Sequence, residues 1–123
     1  MPKKKPTEST VGTLKDIPAE SFITTGVDEV DELLGGGFPR KRITQIWGNP
    51  GVGKSYLLAK TMAALKGKAL YIDAEYALNK DRLTSMGVDL DKVDYWANSQ
   101  LEEVAEFVIA NVHKYDLVII DTL

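Results

Sequence analysis

Apolar residues in this chain fall into blocks whose spacing alternates between that of a strand and that of a helix. The strand-like blocks are rich in β-branched and aromatic residues, and the blocks between them place apolar residues on one helical face. Strands that alternate with helices predict an α/β fold with a parallel, three-layer sheet and right-handed crossovers. The predicted core strands are RITQIW (42–47), KALYIDAE (68–75), VDYWAN (93–98) and YDLVIID (115–121).

The predicted helices carry signals at their ends. A short helix in VDEVDELLGGG (27–37) would stop at the glycines. Asn79 is suited to be the N-cap of the helix in NKDRLTSMG, and Ser99 with Glu102 predicts a capping box for the last helix. We interpret the tyrosine and tryptophan side chains as packing residues.

Composition restricts the class of protein. A chain of 123 residues with 44% hydrophobic content and mixed charges is typical of a soluble globular protein of one domain at most. No apolar run approaches the length of a membrane span, and no signal-peptide stretch follows the basic start MPKKKPTEST. The absence of cysteine excludes disulfides and thiolate metal sites, which fits a cytoplasmic protein with no membrane partner. The net charge of −3 means that nucleic-acid binding would need a local basic patch.

The stretch GNPGVGKS (48–55) has the pattern G-x-x-x-x-G-K-[ST], which predicts a phosphate-binding loop. Its position between a predicted strand and a predicted helix favours this interpretation over a glycine-rich turn that happens to end in Lys-Ser. Glycines allow successive N–H groups to face one concavity, Lys54 would reach the β- and γ-phosphates, and the Ser55 hydroxyl would ligate Mg²⁺. The residues predicted to contact ATP here are Gly48, Asn49, Pro50, Gly51, Val52, Gly53, Lys54, Ser55 and Tyr56.

Two acidic residues follow apolar strands at the edge where ligands of open α/β sheets bind. Asp121 closes LVIID, the Walker B arrangement, and is predicted to hold Mg²⁺ through a water; the alternative is a helix N-cap. Glu75 closes YIDAE. From spacing alone, Glu75 is either the base that activates an attacking water or a solvated loop acid.

The segment 24–65, TTGVDEVDELLGGGFPRKRITQIWGNPGVGKSYLLAKTMAAL, resembles the start of the ATPase core of the RecA and archaeal RadA recombinases. The pattern TG-x-x-x-x-D-x-x-L-GGG before the phosphate loop is typical of that superfamily, including its KaiC-like and bacterial RadA branches. The pattern IDAE-x-AL followed by GVD is similar to RecA itself. The resemblance spans 22–123, and its departures are mild: Gln45 stands where Glu is common, and Thr122 where Ser is usual.

The resemblance implies an ATP site with Mg²⁺ and assigns roles to matching residues. Glu75 matches the catalytic base of the family. Arg82 matches a side chain that stacks on the adenine ring in RadA-type members. The family's members bind single-stranded DNA as homo-oligomeric filaments and promote strand exchange in recombination and repair.

The resemblance also implies domain limits. Residues 1–21 are predicted to be a flexible basic tail and connector, and 22–123 a partial RecA-like ATPase core, incomplete because it contains only the first four core strands. In such cores the next strand lies between the strands at 42–47 and 117–121. We therefore expect the strand at 117–121 either to stay unpaired on one side or to close against 42–47, and we expect the chain alone to be aggregation-prone or partly molten.

Two alternatives remain open from the sequence. One is a KaiC-like or helicase-loader ATPase, although such relatives usually lack IDAE at this point. The other is an adaptor that binds nucleotide without hydrolysing it. Glu75 discriminates, because a carboxylate at that position favours hydrolysis.

Overall fold

The longest buried apolar run of the chain becomes the centre of a parallel sheet. The computed structural model describes residues 11–49 and 51–122. In chain order its strands and α-helices are β1 (Phe22–Ile23), α1 (Asp28–Leu33), β2 (Phe38–Pro39), α2 (Lys54–Ala64), β3 (Ala69–Asp73), α3 (Lys80–Ser85), β4 (Val93–Ala97), α4 (Leu101–Asn111) and β5 (Leu117–Asp121).

Strand β3 pairs in parallel with β4 on one side and with β5 on the other. All five residues of β3 are buried, as expected for a strand that is covered on both faces. Strands β1 and β2 form a separate antiparallel pair. The predicted α/β class with a parallel sheet is therefore confirmed.

Helices cover both faces of this sheet, which gives three layers. Alternate residues of a strand point to opposite faces. Tyr71 of β3 packs in a buried cluster with Ala59 and Met62 of α2, which α3 joins through Leu83. On the opposite face, β3 packs against Val104 of α4. The predicted layers are confirmed.

Residues 42–47, predicted to be a strand, form no strand within the described part of the chain. The side chains of Ile43 and Trp47 are exposed there, at 101% and 83% of their full areas. Local β-propensity does not make a strand, because the backbone N–H and C=O groups need a neighbouring strand. Among the described residues, β5 pairs only with β3, and 42–47 pairs with no strand. The prediction of four core strands is wrong for this segment.

The edge position of β5, unpaired on one side among the described strands, is one of the two arrangements that the sequence predicted.

The TTG-x-x-x-x-D pattern forms a hydrogen-bonded turn. The Asp31 carboxylate accepts the Thr25 N–H at 2.7 Å and the Thr25 hydroxyl at 2.6 Å, and it also accepts the Thr24 hydroxyl. This part of the motif is therefore structural: it fixes the chain between β1 and α1.

This turn also contacts α2, the helix that follows the glycine-rich loop of the GNPGVGKS motif. The Thr61 hydroxyl of α2 lies 3.0 Å from the Thr25 carbonyl and 2.8 Å from the Leu57 carbonyl. Gly26 has a φ of 80°, and a Cβ there would lie 2.4 Å from the Lys60 carbonyl oxygen, so only glycine allows this close approach. The turn and α2 are thus packed backbone against backbone.

Helix ends follow the sequence in one case and depart from it in another. The Asn79 side chain accepts the Arg82 N–H at 3.1 Å, which confirms Asn79 as the N-cap of α3. The capping box at Ser99 is wrong, because α4 begins one residue later, with Gln100 as its N-cap. The Asn98 side chain instead accepts the Gln100 N–H at 2.7 Å.

The predicted tail at 1–10 lies outside the described residues, and the proposed boundary at residue 21 stays a prediction. In the described ranges, no helix has both the length and the apolar character needed to cross a membrane.

We expect amide hydrogen exchange to be slowest in β3 and fast across 42–47. Each β3 amide is covered on both faces and flanked by a strand on each side, whereas the amides at 42–47 face solvent. Exchange measured by mass spectrometry on the 123-residue chain tests this difference. Protection across 42–47 as strong as that across 69–73 would show that this segment pairs as a strand.

Candidate functional site

The glycine-rich loop ends in a helix whose first turn is open to an anion. Gly51 and Gly53 have φ values of 84° and 97°, a left-handed conformation that favours glycine. Helix α2 then starts at Lys54 with Gly53 as its N-cap, so no side chain caps the first N–H groups, and its first turn contains no acidic residue. The free N–H groups and the positive end of the helix dipole attract negative charge.

The Lys54 side chain folds back over the loop. Its ammonium donates a hydrogen bond of 2.7 Å to the Gly48 carbonyl, which closes the loop on the lysine. An ammonium has three N–H donors, so two are left for other acceptors. The N–H of Val52 donates to the Asn49 carbonyl at 3.4 Å, whereas Pro50 lies outside the described residues. Of the other predicted contacts, the Ser55 and Tyr56 residues at the start of α2 are exposed.

A second group of side chains meets at the carboxyl edge of the sheet. Asp73, at the end of β3, is 1% exposed and accepts hydrogen bonds from the Glu75 N–H at 3.1 Å, the Leu78 N–H at 2.9 Å and the Tyr95 hydroxyl at 2.9 Å. Burial alone would raise the pKa of Asp73, but these donors outweigh it and hold the pKa below its ordinary value. A buried carboxylate therefore organises the turn that carries Glu75.

Glu75 lies on this turn with its side chain exposed. The turn is also bound to the neighbouring strands: the Ala74 N–H donates to the Asp121 carbonyl at 3.0 Å, and the Asn98 N–H donates to the Asp73 carbonyl at 3.2 Å. The position of Glu75 along the sheet edge is thus fixed by its backbone, while its carboxylate is open to solvent.

Asp121 ends β5 directly opposite Asp73 in the sheet register. Its Oδ2 accepts a hydrogen bond from the hydroxyl of Tyr71, a buried residue of β3. Burial, together with this bond, raises the pKa of Tyr71 far above its ordinary value, so the hydroxyl remains a donor. The structure therefore places Asp121 and the Glu75 turn side by side.

Sequence reasoning missed Asp73, Tyr71 and Tyr95, because the tyrosines were interpreted as packing residues. Their roles depend on strand register: Tyr71 and Tyr95 are paired across β3 and β4, and each hydroxyl reaches an aspartate two positions further along the next strand. The alternation Tyr71–Asp73 places both residues on one face, which is the only signal that the sequence contains.

The predicted site residues fall into groups that hydrogen bonds do not join. Within the described residues, no hydrogen bond or ion pair links Lys54 or Ser55 to the group around Asp121. Arg82 is exposed on α3, and its guanidinium has no hydrogen-bond or ion-pair partner in the described ranges. The connection is through packing, since α2 contacts Tyr71, which binds Asp121.

The side chains of the described residues suit a magnesium ion that is also bound by phosphate and water better than a metal ion whose ligands all come from the protein. The described residues contain no group of three or more His, Cys, Asp or Glu side chains that could hold a metal. Mg²⁺ is usually bound by one or two protein oxygens together with phosphate and water. Ser55 and Asp121 offer oxygens of that kind.

Comparison with known proteins decides the family. The sequence matches the RecA N-terminal domain over residues 7–123. The chain belongs to this family. The resemblance that we described from TTG-x-x-x-x-D and IDAE is therefore confirmed.

Individual relatives of this RecA N-terminal domain include both bacterial RadA and RecA. The chain is 39% identical over 106 residues to the DNA repair protein RadA of Rickettsia bellii, covering 82% of this chain and 24% of that protein. It is 36% identical over 112 residues to the protein RecA of Petrotoga mobilis, covering 84% and 30%.

A solved structure is also similar. The crystal structure of the RadB recombinase matches with a TM-score of 0.69 and 26% identity, covering 82% of this chain and 51% of that one. The chain thus spans about half of the RadB chain and a quarter to a third of the two curated relatives.

We expect Asp73→Ala to destabilise this RecA N-terminal domain by about 2–3 kcal/mol, because two backbone N–H groups of the turn and the Tyr95 hydroxyl lose their acceptor. The matched control is Asp89→Ala: Asp89 is exposed, and among the described residues its carboxylate accepts only the Asp91 N–H, at 3.1 Å. That control should cost about 1 kcal/mol or less. Urea unfolding of the three chains measures both effects, and equal losses would contradict the organising role of Asp73.

Proposed function

We propose that this chain is the ATP-binding part of a DNA-dependent ATPase of the RecA/RadA recombinase type, which acts in homologous recombination and DNA repair. The observation that carries the proposal is the conformation of 48–49 and 51–55: left-handed glycines, an uncapped first turn of α2, and a lysine folded over the loop. This combination suits the phosphates of a nucleotide.

In this proposal the loop holds the phosphates of ATP. Backbone N–H groups of 51–55 bind phosphate oxygens, and the Lys54 ammonium exchanges its bond to the Gly48 carbonyl for the β- and γ-phosphates. Ser55 and Asp121 hold Mg²⁺, with Asp121 acting through a water. When bound, the ion neutralises charge on the transferring phosphoryl group.

Glu75 is the proposed general base. Its exposed carboxylate orients a water molecule and accepts a proton from it as the water oxygen attacks the γ-phosphorus. The bond from the γ-phosphorus to the bridging oxygen breaks, and ADP leaves with that oxygen. The Glu75 N–H donates to the Asp73 carboxylate, and the Ala74 N–H donates to the Asp121 carbonyl. These hydrogen bonds support the role, because they fix the backbone from which the Glu75 side chain extends. Fixed placement of a catalytic group lowers the entropic cost of the reaction.

Arg82 is the proposed contact to the adenine ring. Its guanidinium is exposed on α3 and has no hydrogen-bond or ion-pair partner among the described residues, so it is available to stack on a base. Stacking tolerates different bases, which makes Arg82 a source of affinity rather than of base specificity.

The proposed partners are single-stranded DNA and further copies of the protein in a filament, in the cytoplasm. Similarity to proteins named DNA repair protein RadA and RadB recombinase supports this assignment.

We expect Lys54→Ala to weaken ATP binding by at least about 10-fold, because the β- and γ-phosphates lose their main cationic contact. Lys66→Ala is the matched control: it removes the same charge from an exposed lysine beyond the other end of α2. Calorimetric titration of each variant with ATP and Mg²⁺ measures the effect. If both variants bind like the unaltered chain, the loop does not bind phosphate.

We expect Glu75→Gln to reduce ATP hydrolysis by about 10²-fold or more while leaving ATP affinity largely intact, because the amide cannot accept the proton. Glu106→Gln, an exposed position of α4 on the opposite face of the sheet, is the control and should hydrolyse ATP normally. Steady-state turnover by the native protein and its variants separates kcat from KM. Unchanged turnover with Gln at 75 would show that Glu75 is not the base, whereas ATP binding without turnover by the native protein would favour a nucleotide-binding adaptor.

A further inference from the structure

Two tyrosine–aspartate hydrogen bonds repeat across the three strands of the sheet. The Tyr95 hydroxyl of β4 donates to Asp73 of β3, and the Tyr71 hydroxyl of β3 donates to Asp121 of β5. In each bond, the accepting aspartate lies two positions beyond the residue that pairs with the tyrosine on the next strand. The repeat ends at β5, so Asp121 is the last acceptor.

The two aspartates differ in what their oxygens bind. Asp73 has both oxygens engaged: Oδ1 accepts one backbone N–H, and Oδ2 accepts another as well as the Tyr95 hydroxyl. Asp121 accepts the Tyr71 hydroxyl on Oδ2, and no described residue donates to its Oδ1. Both oxygens of Asp73 are therefore engaged, whereas Asp121 is held at one oxygen and open at the other.

Tyr71 is itself held firmly. Only 4% of the residue is exposed, and its ring packs with Ala59 and Met62 of α2 and with Ile119 of β5. The ring also stacks on Tyr95, with 6.4 Å between the centroids. A hydroxyl on a ring fixed from several sides can fix the rotation of the carboxylate that it binds.

We propose that Tyr71 is a positioning residue for the divalent cation of the ATP site, acting through Asp121. By holding Oδ2, it directs the open Oδ1 of Asp121 towards the cation and its water. This inference rests on the proposed nucleotide site. Residues that orient a metal-binding carboxylate typically change metal affinity by about 10- to 100-fold when their hydrogen bond is removed.

The matched control is provided by a third tyrosine–aspartate bond, at the opposite edge of the sheet. The Tyr115 hydroxyl donates to Asp94 at 2.7 Å, next to the ion pair between Lys68 and Asp94 at 3.1 Å. Tyr115→Phe therefore removes the same kind of hydrogen bond far from the site. A purely structural role for such bonds would give Tyr71→Phe and Tyr115→Phe the same phenotype.

The experiment measures how strongly Mg²⁺ enhances binding of a non-hydrolysable ATP analogue to the full chain, with EDTA as the metal-free reference. We expect Tyr71→Phe to bind the analogue in EDTA as the unaltered chain does, and to need about 10-fold more Mg²⁺ for half of the enhancement. Tyr115→Phe should need no more Mg²⁺ than the unaltered chain. In an Asp121→Asn background, adding Tyr71→Phe should have no further effect on the Mg²⁺ requirement, because the carboxylate it positions is already gone.

The outcomes separate this inference from the function on which it rests. Equal Mg²⁺ requirements for the unaltered chain and Tyr71→Phe would overturn the positioning role while leaving the nucleotide site intact. A Tyr71→Phe chain that binds less analogue even in EDTA, or that shows a broadened thermal transition, would assign the hydroxyl to folding instead. No analogue binding by the unaltered chain would overturn both proposals.

Discussion

The buried carboxylate of Asp73 joins the sheet to the candidate site. It is an ionised group in a nearly fully buried position, and such a group is tolerated only when hydrogen bonds replace its water. Two of the replacing donors are backbone N–H groups of the turn that carries Glu75, and a third comes from the adjacent strand. The need to satisfy one carboxylate therefore determines the path of the chain as it leaves the central strand.

Features that depend on neighbours in the sequence could be predicted, and features that depend on the exact register of paired strands could not. The continuous apolar run of β3 and the side-chain cap at Asn79 are local, and the structure has both. Residues 42–47 have equally strong β-propensity but no neighbouring strand among those described, so the same local signal fails there. The roles of Tyr71 and Tyr95 arise only from strand register, which no single stretch of sequence contains.

The candidate site shows the same division. The glycine-rich loop is a local motif, and its left-handed glycines and uncapped helix start have the form that the spacing of Gly48, Gly53 and Lys54 indicates. The proximity of Asp121 and the Glu75 turn was also predictable, because the ends of neighbouring parallel strands meet at one edge. The link between the loop and the sheet was not predictable, because it depends on the packing of the Tyr71 ring against α2.

Helix α2 is held by the turn between β1 and α1 as well as by the sheet. The Thr61 hydroxyl joins it to the Thr25 carbonyl, and the absence of a side chain at Gly26 lets the preceding turn lie directly against its backbone. A helix held by these contacts has little freedom to bend, whereas the glycines ahead of it can change their dihedral angles at low energetic cost. We therefore expect any adjustment of the loop to an incoming anion to stay ahead of Lys54 and not to bend the helix.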